Sequence, residues 1–154
     1  MAISYRVDQI SFELGMINSF IEMVACGVKK LAISPPIEPQ NLELLVQASK
    51  EISEGFGTRY YVEQSLLITD IQSAEFTKGK NSILYYAKEQ YIQEYLLLKK
   101  RVEELEAKGC YIGAERREIS VAFGKLLSYP DDIIFKRVDS VERINPFVLQ
   151  SKDK

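Results

Sequence analysis

The sequence predicts an α/β domain, with α+β as the open alternative, in which helices pack a small mixed sheet of three or four strands. Runs with helical periodicity alternate with short apolar runs rich in β-forming residues, and glycines and prolines separate them. The chain has 154 residues, 46% apolar and 27% charged, which suits one domain with a substantial core. We expect this domain to span residues 1–145 and to leave 146–154 as a loosely held C-terminal tail.

Apolar residues three and four positions apart predict an amphipathic N-terminal helix, capped by Ser4. They are Val7, Ile10, Leu14, Ile17, Ile21 and Val24. The pattern could continue as one long coiled-coil helix. However, Gly27 suits the left-handed residue just after a helix, and Pro35-Pro36 would break one. We therefore predict that the helix ends at Gly27 and that residues 28–33 form a strand covered by helices.

A strand–helix–strand unit is predicted next. Pro39 suits the first turn of a crossover helix, and "TRYYV" begins the second strand. Such a unit normally makes a right-handed crossover between parallel strands. "LLITDI" at 66–71 is either a third strand or part of the second, and "ILYYA" at 83–87 is a fourth strand, which we favour, or the start of a helix.

A C-terminal helical group completes the predicted fold. Its helices span about residues 88–108, 114–128 and 130–138, with apolar residues at helical spacing. Gly109 suits the end of the first of these helices, and Pro130 suits the start of the last. We see no internal repeat.

Composition excludes several classes of function. The 22 acidic and 20 basic residues give a net charge of −2, which argues against nucleic-acid binding, because phosphate contacts need a basic surface. Aromatic strands beside lysines, which can stack bases, are the only feature that favours it. The chain contains no histidine, so catalysis by histidine and metal ligation by histidine are both excluded. The two cysteines lack the spacing of a metal site. We expect no metal and no cofactor.

The N-terminal segment predicts neither secretion nor membrane insertion. Charged residues interrupt this segment, whereas a signal peptide has an uninterrupted apolar stretch. The longest charge-free stretch, 14–21, is too short to span a bilayer. We therefore expect a cytoplasmic protein with reduced thiols and no membrane contact.

Two rims of the predicted sheet carry candidate ligand-binding residues. The candidates are Ser34, Glu63 and Gln64 at one rim and Arg59, Asp70, Lys78 and Lys80 at the other. The first rim would follow the carboxyl ends of two strands near a helix start, a place that favours anionic ligands. The lysines flank Gly79 in "TKGKNS", which lacks the spacing of a P-loop. Ordinary turn and solvent-exposed roles are the alternative for both rims.

The first helix also carries a second apolar row. Phe12, Met16, Phe20 and Met23 are spaced four, four and three apart and lie on a different face from the Val7–Val24 row. Two apolar faces require burial on two sides. Either the C-terminal helices cover the second face, or it is a homodimer interface, for which Met and Phe are well suited.

Two segments are similar to a poorly characterised family of small, mostly archaeal, proteins. They are "GVKKLAISPP" at 27–36 and "GKLLSYPDDII" at 124–134, and "YYVEQSLLITDI" fits the same pattern. The family's second segment reads G-x-L-L-G-Y-P, so Ser128 replaces a glycine. The resemblance implies an archaeal domain of unknown function with no catalytic residues to carry over.

These observations predict a non-catalytic, oligomeric ligand-binding or protein-interaction domain, with a homodimer as the expected assembly and a small anionic ligand as an open possibility. The alternative is a small histidine-independent enzyme that acts on an anionic metabolite. It would use Asp70 or Glu63 as a carboxylate base, while Arg59, Lys78 or Lys80 holds the anion.

Overall fold

The structure is a computed structural model that describes residues 3–72, 74, 78–140 and 149–151. Its α-helices are α1 (Gln9–Ala25), α2 (Leu42–Phe56), α3 (Glu89–Ala107), α4 (Gly113–Leu126) and α5 (Asp131–Val138). Its strands are β1 (Ile3–Tyr5), β2 (Leu31–Ile33), β3 (Arg59–Glu63), β4 (Ser82–Tyr86) and β5 (Leu149–Ser151). The predicted α/β class, with an N-terminal helix, a crossover helix and a C-terminal helical group around a small sheet, is confirmed.

The main sheet has three strands in the order β2-β4-β3, and both pairings are antiparallel. The strand–helix–strand unit forms as predicted, and β2 and β3 run in the same direction. They do not pair with each other, because β4 lies between them, and for this reason the three-stranded sheet is antiparallel rather than mixed. Parallel pairing occurs instead between β1 and β5. The prediction of a loosely held tail stays a prediction, because β5 is the only part of 146–154 that the structure describes.

Helices cover both faces of this sheet. All five residues of β4 are buried, and alternate residues serve two different cores because side chains alternate along a strand. The core on the α1 and α2 side, the N-terminal core, contains Ile17, Ile21, Val24, Ala32, Ile37, Leu45, Ile83 and Tyr85. The C-terminal core, under α3, α4 and α5, includes Leu31, Leu84, Tyr86, Ile92, Tyr95, Ile119, Phe123 and Ile134.

The ends of α1 follow from local hydrogen bonding. Its N-cap is Asp8, whose carboxylate accepts the Ser11 N–H at 2.8 Å. Hydrogen bonding from the Ser11 side chain, and then from this N–H, lowers the pKa of Asp8. The predicted cap, Ser4, lies in β1 instead. The predicted helix end is confirmed: Gly27 has a φ of 76°, and the Val28 N–H donates to Met23 O at 2.9 Å.

The segment 66–71 is irregular rather than a strand. Leu66, Leu67 and Ile71 are buried, so their apolar character reflects burial in the C-terminal core. Side chains satisfy the backbone donors that a strand would pair with its neighbour. The Leu67 N–H donates to Tyr95 Oη at 3.0 Å and the Asp70 N–H to Ser120 Oγ at 3.1 Å.

The two segments "GVKKLAISPP" and "GKLLSYPDDII" contact each other. Lys29 Nζ donates to Leu127 O at 2.7 Å, and the Lys30 N–H donates to Ser128 Oγ at 2.9 Å. Ser128 has a φ of 63°, a left-handed conformation that a glycine would adopt without strain. Burial, together with the nearby Arg137, lowers the pKa of Lys29. Both segments thus have a structural role at the junction of β2 with α4.

Candidate functional site

The α1 groove is a shallow, open depression of about 430 Å³ on the outer side of α1. It is lined by Ser11, Phe12, Gly15, Met16, Ser19 and Phe20. Ile17, Ile21 and Val24 point the opposite way, into the N-terminal core. The groove is therefore formed by Phe12, Met16 and Phe20 of the second apolar row and by the small residues beside them.

The second apolar row divides between the inside and the outside of the molecule. Phe20 packs against the N-terminal core, whereas Phe12 and Met16 are half-buried and Met23 is 38% exposed. The C-terminal helices pack on the other face of the sheet. They therefore do not bury the second apolar row of α1, which was one of the two alternatives for this row. Phe12, Met16 and Met23 remain the part of this row that a partner could reach.

The outer side of α1 carries almost no charge. Only Glu13 and Glu22 are charged among the 17 residues of α1, whereas α3 has eight charged residues among 19. Glu13 is buried and accepts a hydrogen bond from Gln9 Nε2 at 3.2 Å, so Glu22 is the one charge exposed on the helix. Depletion of charge is characteristic of the centres of protein–protein interfaces.

Ser34 and Glu63 lie at the same end of the sheet but on opposite faces. Ser34 is buried on the side of the N-terminal core, where its Oγ donates to Pro35 O and accepts the Ile83 N–H, both at 2.9 Å. It therefore extends the pairing of β2 with β4. Glu63 faces α3, and Gln64 is exposed just beyond it. The predicted rim therefore exists as one end of the sheet, but Ser34 and Glu63 lie on opposite faces of it and do not share a site.

Glu63 is a buried carboxylate that the protein itself satisfies. Lys99 Nζ donates to Oε1 at 2.8 Å, the Ser65 N–H donates to Oε1 at 3.0 Å, and the Tyr95 hydroxyl donates to Oε2 at 2.8 Å. Burial raises the pKa of Tyr95, so its hydroxyl keeps its proton. The bonds from Tyr95 and Lys99 tie the end of β3 to α3, and the Ser65 N–H completes a structural arrangement around the carboxylate.

The partners of Glu63 were not among the predicted site residues. Tyr95 and Lys99 lie 32 and 36 positions later in the chain. The signal that could have identified them is their i, i+4 spacing on a helix, where a tyrosine and a lysine share one face. Even so, nothing local in the sequence connects that face to the end of β3.

The predicted second rim is not assembled. Arg59 lies at the other end of β3 from Glu63 and forms an ion pair of 2.9 Å with Glu89, while Lys80 lies 3.6 Å from Glu38. Lys78 is exposed in a turn.

Asp70, predicted to share the second rim with Arg59, Lys78 and Lys80, pairs instead with an arginine outside that rim. Arg116 Nε and Nη2 donate to its two oxygens at 2.9 and 2.8 Å. This fork fixes the irregular segment to α4, and the bond to Asp70 raises the pKa of Arg116. The basic partners of both carboxylates thus come from helices rather than from the "TKGKNS" loop.

Neither a metal-ligand cluster within the described residues nor a known relative points to a further site. Within the described ranges, no three Cys, Asp or Glu side chains are grouped so that they could hold a metal ion. No helix in the same ranges combines the length and the apolar character that crossing a membrane requires. The chain matches no protein-family model, no curated protein and no solved structure.

Proposed function

We propose that this protein is a non-catalytic interaction domain that forms a homodimer through the α1 groove. The observation that carries the proposal is an apolar groove, bordered by Phe12 and Met16, on a helix whose outer side has a single exposed charge. A cytoplasmic location belongs to the same proposal, because both cysteines, Cys26 and Cys110, are exposed free thiols.

A second copy of the chain is the partner that best fits this surface. In a twofold dimer the same patch is used on both subunits, so a charged patch would repel its own copy. The α1 groove avoids this repulsion. It also places a row of large residues, Phe12, Met16 and Phe20, beside smaller ones on the same helix. Such a row on each copy can pack into the depression on the other, as in ridges-into-grooves helix packing.

The size of the surface indicates a reversible dimer. A helix of 17 residues is about 25 Å long and about 10 Å wide, which gives a contact well below the roughly 800 Å² per partner of a standard interface. We therefore expect association that depends on protein concentration in the micromolar range.

Sedimentation velocity of the wild type and of a Phe12→Asp/Met16→Asp variant tests the proposal. These residues are half-buried at the groove, and Phe20 is left intact because it packs against the N-terminal core. The wild-type mass should rise from 17.6 kDa toward twice that value as concentration increases, and the variant should stay monomeric with an unchanged far-UV CD spectrum.

The matched control is Leu97→Asp. Leu97 is an apolar residue on the charge-rich helix α3 and is 67% exposed, so this variant should dimerise like the wild type. A wild type that remains at monomer mass across the whole concentration range would contradict the proposal. So would a Phe12→Asp/Met16→Asp variant that dimerises normally.

A further inference from the structure

We infer that the two copies of α1 cross at Gly15, where the absence of a side chain lets the helix backbones approach closely. This inference rests on the proposed function and adds the geometry of the dimer to it. The partner is a second copy of the chain, and the contact lies at the centre of the α1 groove.

None of the residues that the structure describes gives Gly15 a packing reason to be a glycine. It lies in the middle of α1 in ordinary helical geometry, and a Cβ added there would meet no atom of the described residues within 4 Å. A glycine inside a helix costs about 1 kcal/mol relative to alanine. Gly124, in the interior of α4, shows the contrast, because a Cβ there would lie 2.8 Å from Ile134 Cγ1. Packing within the chain explains Gly124 but not Gly15.

The surroundings of Gly15 fit a close approach of a second helix. Ser11 and Ser19 lie one turn before and one turn after it, and both are exposed. Phe12 and Met16 line the same groove as larger, half-buried apolar side chains beside these small residues. The distance between packed helices, about 8–10 Å, is set by the side chains at the contact. When two copies meet at Gly15, Phe12 and Met16 of each can therefore pack beside the small residues of the other.

Substitution of Gly15 should act on folding and on dimerisation with opposite signs. Gly15→Gln introduces a neutral residue that favours helix, so the melting temperature of the monomer should rise by about 2–4 °C. The same side chain holds the two backbones apart, so the dimer dissociation constant should increase at least about tenfold. Gly55→Gln is the matched control. Gly55 lies near the end of α2, and a Cβ there would likewise meet no described atom within 4 Å, so the dissociation constant of this variant should stay at the wild-type value.

A cross-linking experiment tests the same geometry directly. In a Cys26→Ser/Cys110→Ser background, Gly15→Cys should form a covalent dimer on mild air oxidation, because a disulfide requires Cα atoms within about 7 Å. Gly55→Cys in the same background should remain uncross-linked.

The outcomes separate the inference from the proposed function. Suppose the wild type dimerises and Phe12→Asp/Met16→Asp abolishes this, but Gly15→Gln has the wild-type dissociation constant and Gly15→Cys does not cross-link. The crossing at Gly15 is then overturned while the interaction surface stands. A wild type that is monomeric at all concentrations overturns both. Weakening by Gly15→Gln together with cross-linking through Gly15→Cys supports both.

Discussion

Gly124→Ala tests how tightly α4 packs against α5 and the irregular segment 66–71. The added Cβ would lie 2.8 Å from Ile134 Cγ1 and 3.0 Å from Ile71 Cδ1, closer than ordinary van der Waals contact. Ile134 and Ile71 are 0% and 2% exposed, so neither can move aside into solvent. Overpacking of this kind costs about 1–3 kcal/mol, and the helix propensity of alanine returns about 1 kcal/mol. We therefore expect a net loss of up to about 2 kcal/mol in the free energy of unfolding.

Urea unfolding followed by far-UV CD measures this loss. Gly55→Ala, with no atom within 4 Å of the new Cβ, is the matched control and should gain up to about 1 kcal/mol. Ile134→Val removes Cδ1, one of the atoms that the new methyl group would contact, at 3.1 Å. The double variant should therefore be less destabilised than the sum of its parts, by at least about 0.5 kcal/mol. A Gly124→Ala protein that gains as much stability as Gly55→Ala would refute the packing argument, as would strict additivity with Ile134→Val.

Two further substitutions test buried polar groups. Tyr85→Phe breaks the buried 2.8 Å hydrogen bond between the hydroxyls of Tyr85 and Ser49 and should cost about 1 kcal/mol at neutral pH. Burial raises the pKa of the Tyr85 hydroxyl in the folded protein above its ordinary value of 10.0. As pH increases, the hydroxyl therefore loses its proton in the unfolded chain at a lower pH than in the folded protein. Wild-type stability should fall as pH rises above 10.0, and urea titrations should show a shallower fall for Tyr85→Phe. Lys99→Met removes the cation bonded to buried Glu63 and should cost about 1–3 kcal/mol. Lys100→Met, whose pair with Glu104 is exposed, should cost less than about 0.5 kcal/mol, and equal losses in urea unfolding would contradict the structural role of Glu63.

The helices could be predicted because their signals are local. Periodic apolar residues fix which side of a helix is buried, and a glycine with positive φ follows α1, α2 and α3 at Gly27, Gly57 and Gly109. The second apolar row of α1 could be predicted in the same way. Whether it faces another helix or a partner could not, because that depends on which face of the sheet the C-terminal helices cover.

The strand pairing and the environment of Glu63 depend on residues far apart in the chain. The position of β4 between β2 and β3 brings Ile33 opposite Leu84, and neither segment carries a signal for the other. Leu66 and Leu67 read as a strand because they are apolar, but the hydroxyl of Tyr95 on α3 takes the backbone donor of Leu67. The same hydroxyl donates a hydrogen bond to Glu63, which the sequence predicts to be a ligand-binding residue. A single buried tyrosine from a later helix thus contributes to both differences.

The central position of β4 also determines the order in which the chain can fold. While a nascent chain ends before residue 82, β2 and β3 lack the strand that joins them, and α1 and α2 have no complete sheet on which to pack. Long-range pairing of this kind slows folding, because the loops must close before any contact compensates for the lost entropy. Once β4 is in place, its alternate residues complete the cores on both faces at the same time. The two helical layers should therefore fold and unfold together as one cooperative unit, with no stable half-molecule at equilibrium.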